Sequence, residues 1–170
     1  MKQSTKQINN QYELNRKKTS LKNMYFNRFL LIRYLLAIFV FSNFYWSIFS
    51  SGTFISIIPI MLLLLSCLAA YEMFKVLGQK DPIIHWTHLF FKLQMIVCGV
   101  GMIVLITFPV SEIIPFLTNT SLAQLIGFIL FGSGFFMCLL VRKRLHQIEL
   151  KSDKQYQRIQ YYEKTLKINL

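Results

Sequence analysis

A chain of 170 residues with 54% apolar side chains, 15% aromatic ones and a mean hydropathy of +0.45 is too apolar for a soluble domain of its size, and points to an integral membrane protein. Its formal net charge of +12 raises nucleic acid as a partner, but the Lys and Arg residues gather in the two terminal segments and at one set of helix ends, as the positive-inside rule expects. No zinc, ribonucleoprotein or helix-turn-helix signature accompanies them, so the partner that composition implies is the lipid bilayer and not nucleic acid.

Residues 1–24 carry Lys2, Lys6, Arg16, Lys17, Lys18 and Lys22 against the single acid Glu13, a composition that cannot bury a core and predicts a basic, disordered cytoplasmic arm. Its first role is to set topology; binding to anionic headgroups is a sharper alternative. The following domain, 25–141, contains four apolar runs. The first, 29–49, supplies about 20 residues at about 1.5 Å each, enough to cross a hydrocarbon core of about 30 Å. Arg28 precedes it, Arg33 lies inside it, and Phe44, Tyr45 and Trp46 form an aromatic belt near its far end.

An uncharged turn, Ser50 to Thr53, leads into a second run, 54–76, with Pro59 placed to kink it and Glu72 and Lys75 marking its basic end. After a loop at 77–82, residues 83–88 are expected at the membrane interface with Trp86 as anchor, and 89–108 as the third span. Lys92 and Gln94 sit near its entry. The outer stretch 110–120 has no Lys or Arg, whereas the fourth run, 122–141, is followed at once by Arg142, Lys143 and Arg144. The expected architecture is therefore all-α: two hairpins, multi-pass in the plasma membrane, both termini cytoplasmic. Ala123 and Gly127, with Gly132 to Gly134, allow close helix approach, within the bundle first and in a homo-oligomer second.

In the last segment, 142–170, Leu145, Ile148, Ser152, Gln155, Ile159, Tyr162 and Leu166 follow at alternating steps of three and four. That spacing predicts one basic, amphipathic cytoplasmic helix. Its apolar members Leu145, Ile148, Ile159, Tyr162 and Leu166 are the candidate surface for a membrane or cytoplasmic protein partner.

For chemistry, the one constellation is a polar layer of Arg33, Glu72 and Lys92 at similar depth on the basic side, with Arg33 and Glu72 as the expected pair. Ionisable groups in a span face the bundle interior or water, or snorkel to the interface. His85 and His88, three apart, lack a third ligand, and His146 stands alone among solvated residues. Cys67, Cys98 and Cys138 lie in apolar runs without zinc spacing. There is no phosphate-binding glycine loop or nucleophile elbow. Neither a metal, a cofactor nor an enzymatic activity is expected.

The segments FNRFLLIRY at 26–34, NFYW at 43–46 and DKQYQRIQYYEK at 153–164 resemble a family of small four-span membrane proteins of Gram-positive, lactic-acid-type bacteria, which often go by the name of cellobiose phosphotransferase subunit IIA. The resemblance implies association with sugar phosphotransfer, and no catalytic residue comes with it. The leading expectation is a non-catalytic accessory or regulatory subunit acting through its tails. The alternatives are a small transporter or channel-like component using the Arg33, Glu72 and Lys92 layer, and an immunity or envelope-stress protein.

Overall fold

The computed structural model describes residues 2–76, 84–114 and 117–166, with side chains described from residue 11 to 164 except at position 14. In chain order the helices are α1 (Lys2–Arg28), α2 (Leu30–Phe49), α3 (Ile57–Lys75) with a short 3-10 turn before it (Phe54–Ser56), α4 (His85–Thr107), α5 (Val110–Ile113), α6 (Ser121–Glu149) and α7 (Lys154–Leu166).

Among the described residues, α2, α3 with its preceding turn, α4 and α6 are long and apolar enough to cross a membrane. Only 22–28% of each apolar stretch is buried, so large side chains such as Phe41, Leu64, Ile103 and Ile129 point outward. In water that surface would be an aggregation liability; in hydrocarbon it needs no partner, and four such helices fit a membrane protein. At about 1.5 Å per residue α6 is about 43 Å long, more than the hydrocarbon core requires. It projects beyond the bundle at the basic end.

Sequential neighbours pack against one another, α2 on α3, α3 on α4 and α4 on α6, while α2 and α6 close the ring only loosely. The core nearer the basic end joins Ile32, Leu36 and Phe39 of α2 to Met73, Phe90, Phe91, Val141 and Leu145. Phe39 meets Phe90 and Phe91 edge-on, with ring centroids 6.2 and 5.9 Å apart. Toward the other end a second core joins Cys98, Leu105, Ala123 and Phe131 to Val110, Ile113 and Ile114. There α4 and α6 meet through small residues: a Cβ on Gly101 would stand 2.7 Å from the Phe131 ring, and one on Gly127 3.0 Å from Leu105.

Three expectations change. Residues 2–28 form a helix instead of a disordered arm, because its last turns have something to pack on: Leu21 and Tyr25 are buried against Ile159 of α7. Of the stretch expected at the interface, His85 to His88 form the first turn of α4; Ile83, Pro82 and the loop at 77–82 lie outside the described residues. The single C-terminal helix is two helices. α6 runs unbroken from Ser121 to Glu149, and Lys151 in the left-handed conformation (φ 52°) reverses the chain before α7. Finally, Pro59 produces no break in α3, since it occupies the first turn, where a backbone N–H has no intrahelical acceptor.

Candidate functional site at the basic end of the bundle

Arg28 closes α1, and the residue after it, Phe29 (φ −100°, ψ 0°), turns the chain into α2. The Arg28 side chain reaches the far end of the sequence. Its Nη2 donates to Asp153 Oδ1 at 2.7 Å and its Nε to Oδ2 at 3.1 Å, a two-point match of planar guanidinium to planar carboxylate. Nη2 also donates to the Ile148 carbonyl at 3.0 Å, and the guanidinium lies over the Tyr156 ring at 4.8 Å. The two charged side chains are 1% and 0% exposed.

Asp153 has a second task. It precedes α7, and its Oδ2 accepts from the Tyr156 backbone N–H at 3.3 Å, so the same carboxylate caps α7 and holds α1. The contact is extended by Leu21, Tyr25 and Ile159, with Met24 and Tyr162 packed beside them. The Tyr25 hydroxyl donates to Glu163 Oε1 at 3.1 Å. Burial, then that bond to a carboxylate, pushes the Tyr25 phenol well above its usual range. The chain's two terminal helices therefore form one unit at one end of the bundle.

The expected polar layer does not assemble. Glu72 turns away from Arg33 and accepts from the backbone N–H groups of Trp86 (3.2 Å) and Thr87 (2.8 Å) and from the Thr87 hydroxyl (2.8 Å). The unpaired N–H groups at a helix start attract a carboxylate, and the start of α4 satisfies Glu72 where a cation was expected to. Arg33 donates through Nη2 to the Met73 carbonyl at 3.2 Å and lies over the Phe26 ring at 4.4 Å; its Nε and Nη1 have no hydrogen-bond partner among the described residues. Lys92 is exposed.

The expected tail surface is likewise spent inside the molecule. Leu145 and Ile148 belong to the bundle core, and Ile159 lies under α1 at 1% exposure. Tyr162 is half-buried beside it; the Leu166 side chain lies outside the described residues. A partner would have to use the opposite faces of these helices. His85 and His146 are exposed, and His88 Nε2 stands 3.0 Å from Glu149 Oε1. Among the described residues no cluster of three or more His, Cys, Asp or Glu residues is placed to hold a metal.

Two buried polar pairs had no local signature. With only 7 acids against 19 Lys and Arg, every acid is a candidate ion-pair partner, and that imbalance is the one signal pointing to Asp153. Within the spans, Asn43 Nδ2 donates to Gln94 Oε1 at 2.9 Å, with the two residues 2% and 5% exposed. Their rarity as polar side chains in apolar runs is what marks them. Trp46, expected as an interfacial anchor, is half-buried and donates through Nε1 to the Ile113 carbonyl at 3.1 Å.

Compared with family models, with curated proteins and with solved structures, the chain matches none.

Proposed function

We propose that this chain is a non-catalytic accessory protein of the plasma membrane, with both termini in the cytoplasm, whose helices α1 and α7 together present a basic surface to an acidic protein partner. The observation that carries the proposal is the buried Arg28–Asp153 pair, which joins the ends of the sequence into one docked element. Around it, Arg16, Lys18 and Lys22 of α1 and Lys154, Arg158 and Lys164 of α7 are exposed. Opposite charge on a partner would give steering and orientation. The positive flanks of all four spans support placing this end in the cytoplasm.

Arg33, Glu72 and Lys92 are engaged in a carbonyl contact, a helix cap and an exposed position, an arrangement that supports the accessory reading over the transporter one. A photo-crosslinking residue placed at Gln157, exposed on α7, tests the proposal in native membranes. One discrete protein adduct is expected, lost when Lys154 and Arg158 are both changed to Glu. Capture of lipid alone, or an adduct indifferent to the charge reversal, overturns it.

A further inference from the structure

The loose seam between α2 and α6 opens into a cleft of about 410 Å³, within the range of small-molecule sites. Its mouth carries Ile38 and Ser42 of α2 and Ser133 of α6, all exposed on the outer face of the bundle, and its lining includes the Asn43–Gln94 pair. At about 1.5 Å per residue, Asn43 lies about 20 Å along α2 from its basic end and about 9 Å from its other end, in the outer half of the span. The cleft is thus a side entrance from the bilayer.

The amide pair is not self-sufficient. Asn43 Nδ2 bonds Gln94 Oε1, but Gln94 Nε2 has only the Cys98 sulfur at 3.8 Å, and Asn43 Oδ1 takes no partner among the described residues. Polar groups left unsatisfied in an apolar setting are costly, and an occupant with a hydrogen-bonding group would remove that cost. No charged side chain lines the cleft, whereas the rings of Phe39, Trp46 and Phe131 do, with Trp46 and Phe131 edge-on at 5.9 Å. A charged phospholipid headgroup finds no counter-charge here, and a plain acyl chain would leave the amides unpaired. A neutral ring fits both amides in its two redox forms, a carbonyl accepting from Gln94 Nε2 and the hydroxyl of the reduced ring donating to Asn43 Oδ1, while the ring packs on the aromatic walls.

We propose that the α2–α6 cleft binds a neutral, ring-headed membrane lipid of the isoprenoid-quinone type, held by Asn43 and Gln94. The ring enters between the helices and its chain remains in the bilayer. Gln94 Nε2 donates to a ring carbonyl, Asn43 Oδ1 accepts from the hydroxyl of the reduced ring, and the serines mark the entrance.

The test uses the full chain in phosphatidylcholine nanodiscs, with Trp86→Phe leaving Trp46 as the only tryptophan, and a naphthoquinone carrying one isoprene unit as the probe. Quenching of Trp46 should saturate. Gln94→Leu, which removes the anchor, and Ser133→Phe, which fills the mouth while leaving the amides intact, should each weaken binding at least tenfold. A naphthalene with the same chain but no carbonyls should fail to displace the quinone. Quenching that rises linearly without saturation, or is the same in all three proteins, overturns the proposal. So does equal displacement by the naphthalene, or a tightly bound phospholipid or second copy that the quinone does not dislodge.

Discussion

Arg28 and Asp153 are the residues on which the arrangement of the chain ends turns. A buried ion pair adds little to stability when compared with apolar residues of the same volume, but removing one partner strands the other charge. Asp153→Ala should therefore cost about 3–5 kcal/mol in the docking of α7, with loss of its cap included. Limited proteolysis from the basic side is the check: cleavage between α6 and α7 should be fast in the variant and slow in the parent. Tyr25 supplies a pH dependence. Its folded pKa is raised by burial and by Glu163, so its contribution is fully present below about pH 10, the ordinary tyrosine value. As pH climbs beyond that value toward the raised folded one, deprotonation in the undocked state increasingly competes, and the contribution is lost. Protease protection of α7 should fall on this alkaline limb, and Tyr25→Phe should flatten it. At Glu72, loss of the charged cap in Glu72→Gln should weaken the start of α4 by about 0.5–2 kcal/mol, read as faster amide exchange at Trp86 and Thr87.

At the level of elements, what was legible followed from what each segment needs. A run of apolar residues long enough for a bilayer announces itself in composition alone, and α2, α3, α4 and α6 lie close to where hydropathy placed them. Expectations failed where structure depends on residues far apart in sequence. The polar stretch before residue 29 gave no sign of helix because its partner, Ile159, lies more than a hundred residues away. The three-and-four spacing from Leu145 to Leu166 continued through a reversal that depends on one residue, Lys151, adopting a positive φ without being glycine. Glu72 looked like a partner for a cation because a helix start presents no side-chain charge for the eye to find. The setting of Gly101 in α4 makes a prediction possible. Gly101→Ala places a Cβ 2.7 Å from the Phe131 ring, so α4 and α6 must separate or the ring must move. The expected cost is about 1–3 kcal/mol, measured by thermal unfolding in detergent, and the displaced Phe131 should also alter Trp46 fluorescence.

For the molecule as a whole, four apolar helices form the body, a ring closed on three seams and slack on the fourth, with the termini tied together beyond one end. The proposed partner surface and the proposed lipid cleft occupy different regions of this body, the first at the basic end and the second in the wall. The first depends on a topology in which the turn near Gly52 and the loop near Thr118 face outward and α7 faces the cytoplasm; the second needs only that the four helices cross the bilayer. Labelling of single cysteines in an otherwise cysteine-free full chain, with a membrane-impermeant maleimide applied to intact cells, tests that topology most directly. Gly52→Cys and Thr118→Cys should react at once, and Gln157→Cys only after the cells are permeabilised. Protection of either loop position, or reaction of Gln157→Cys in sealed cells, would contradict it.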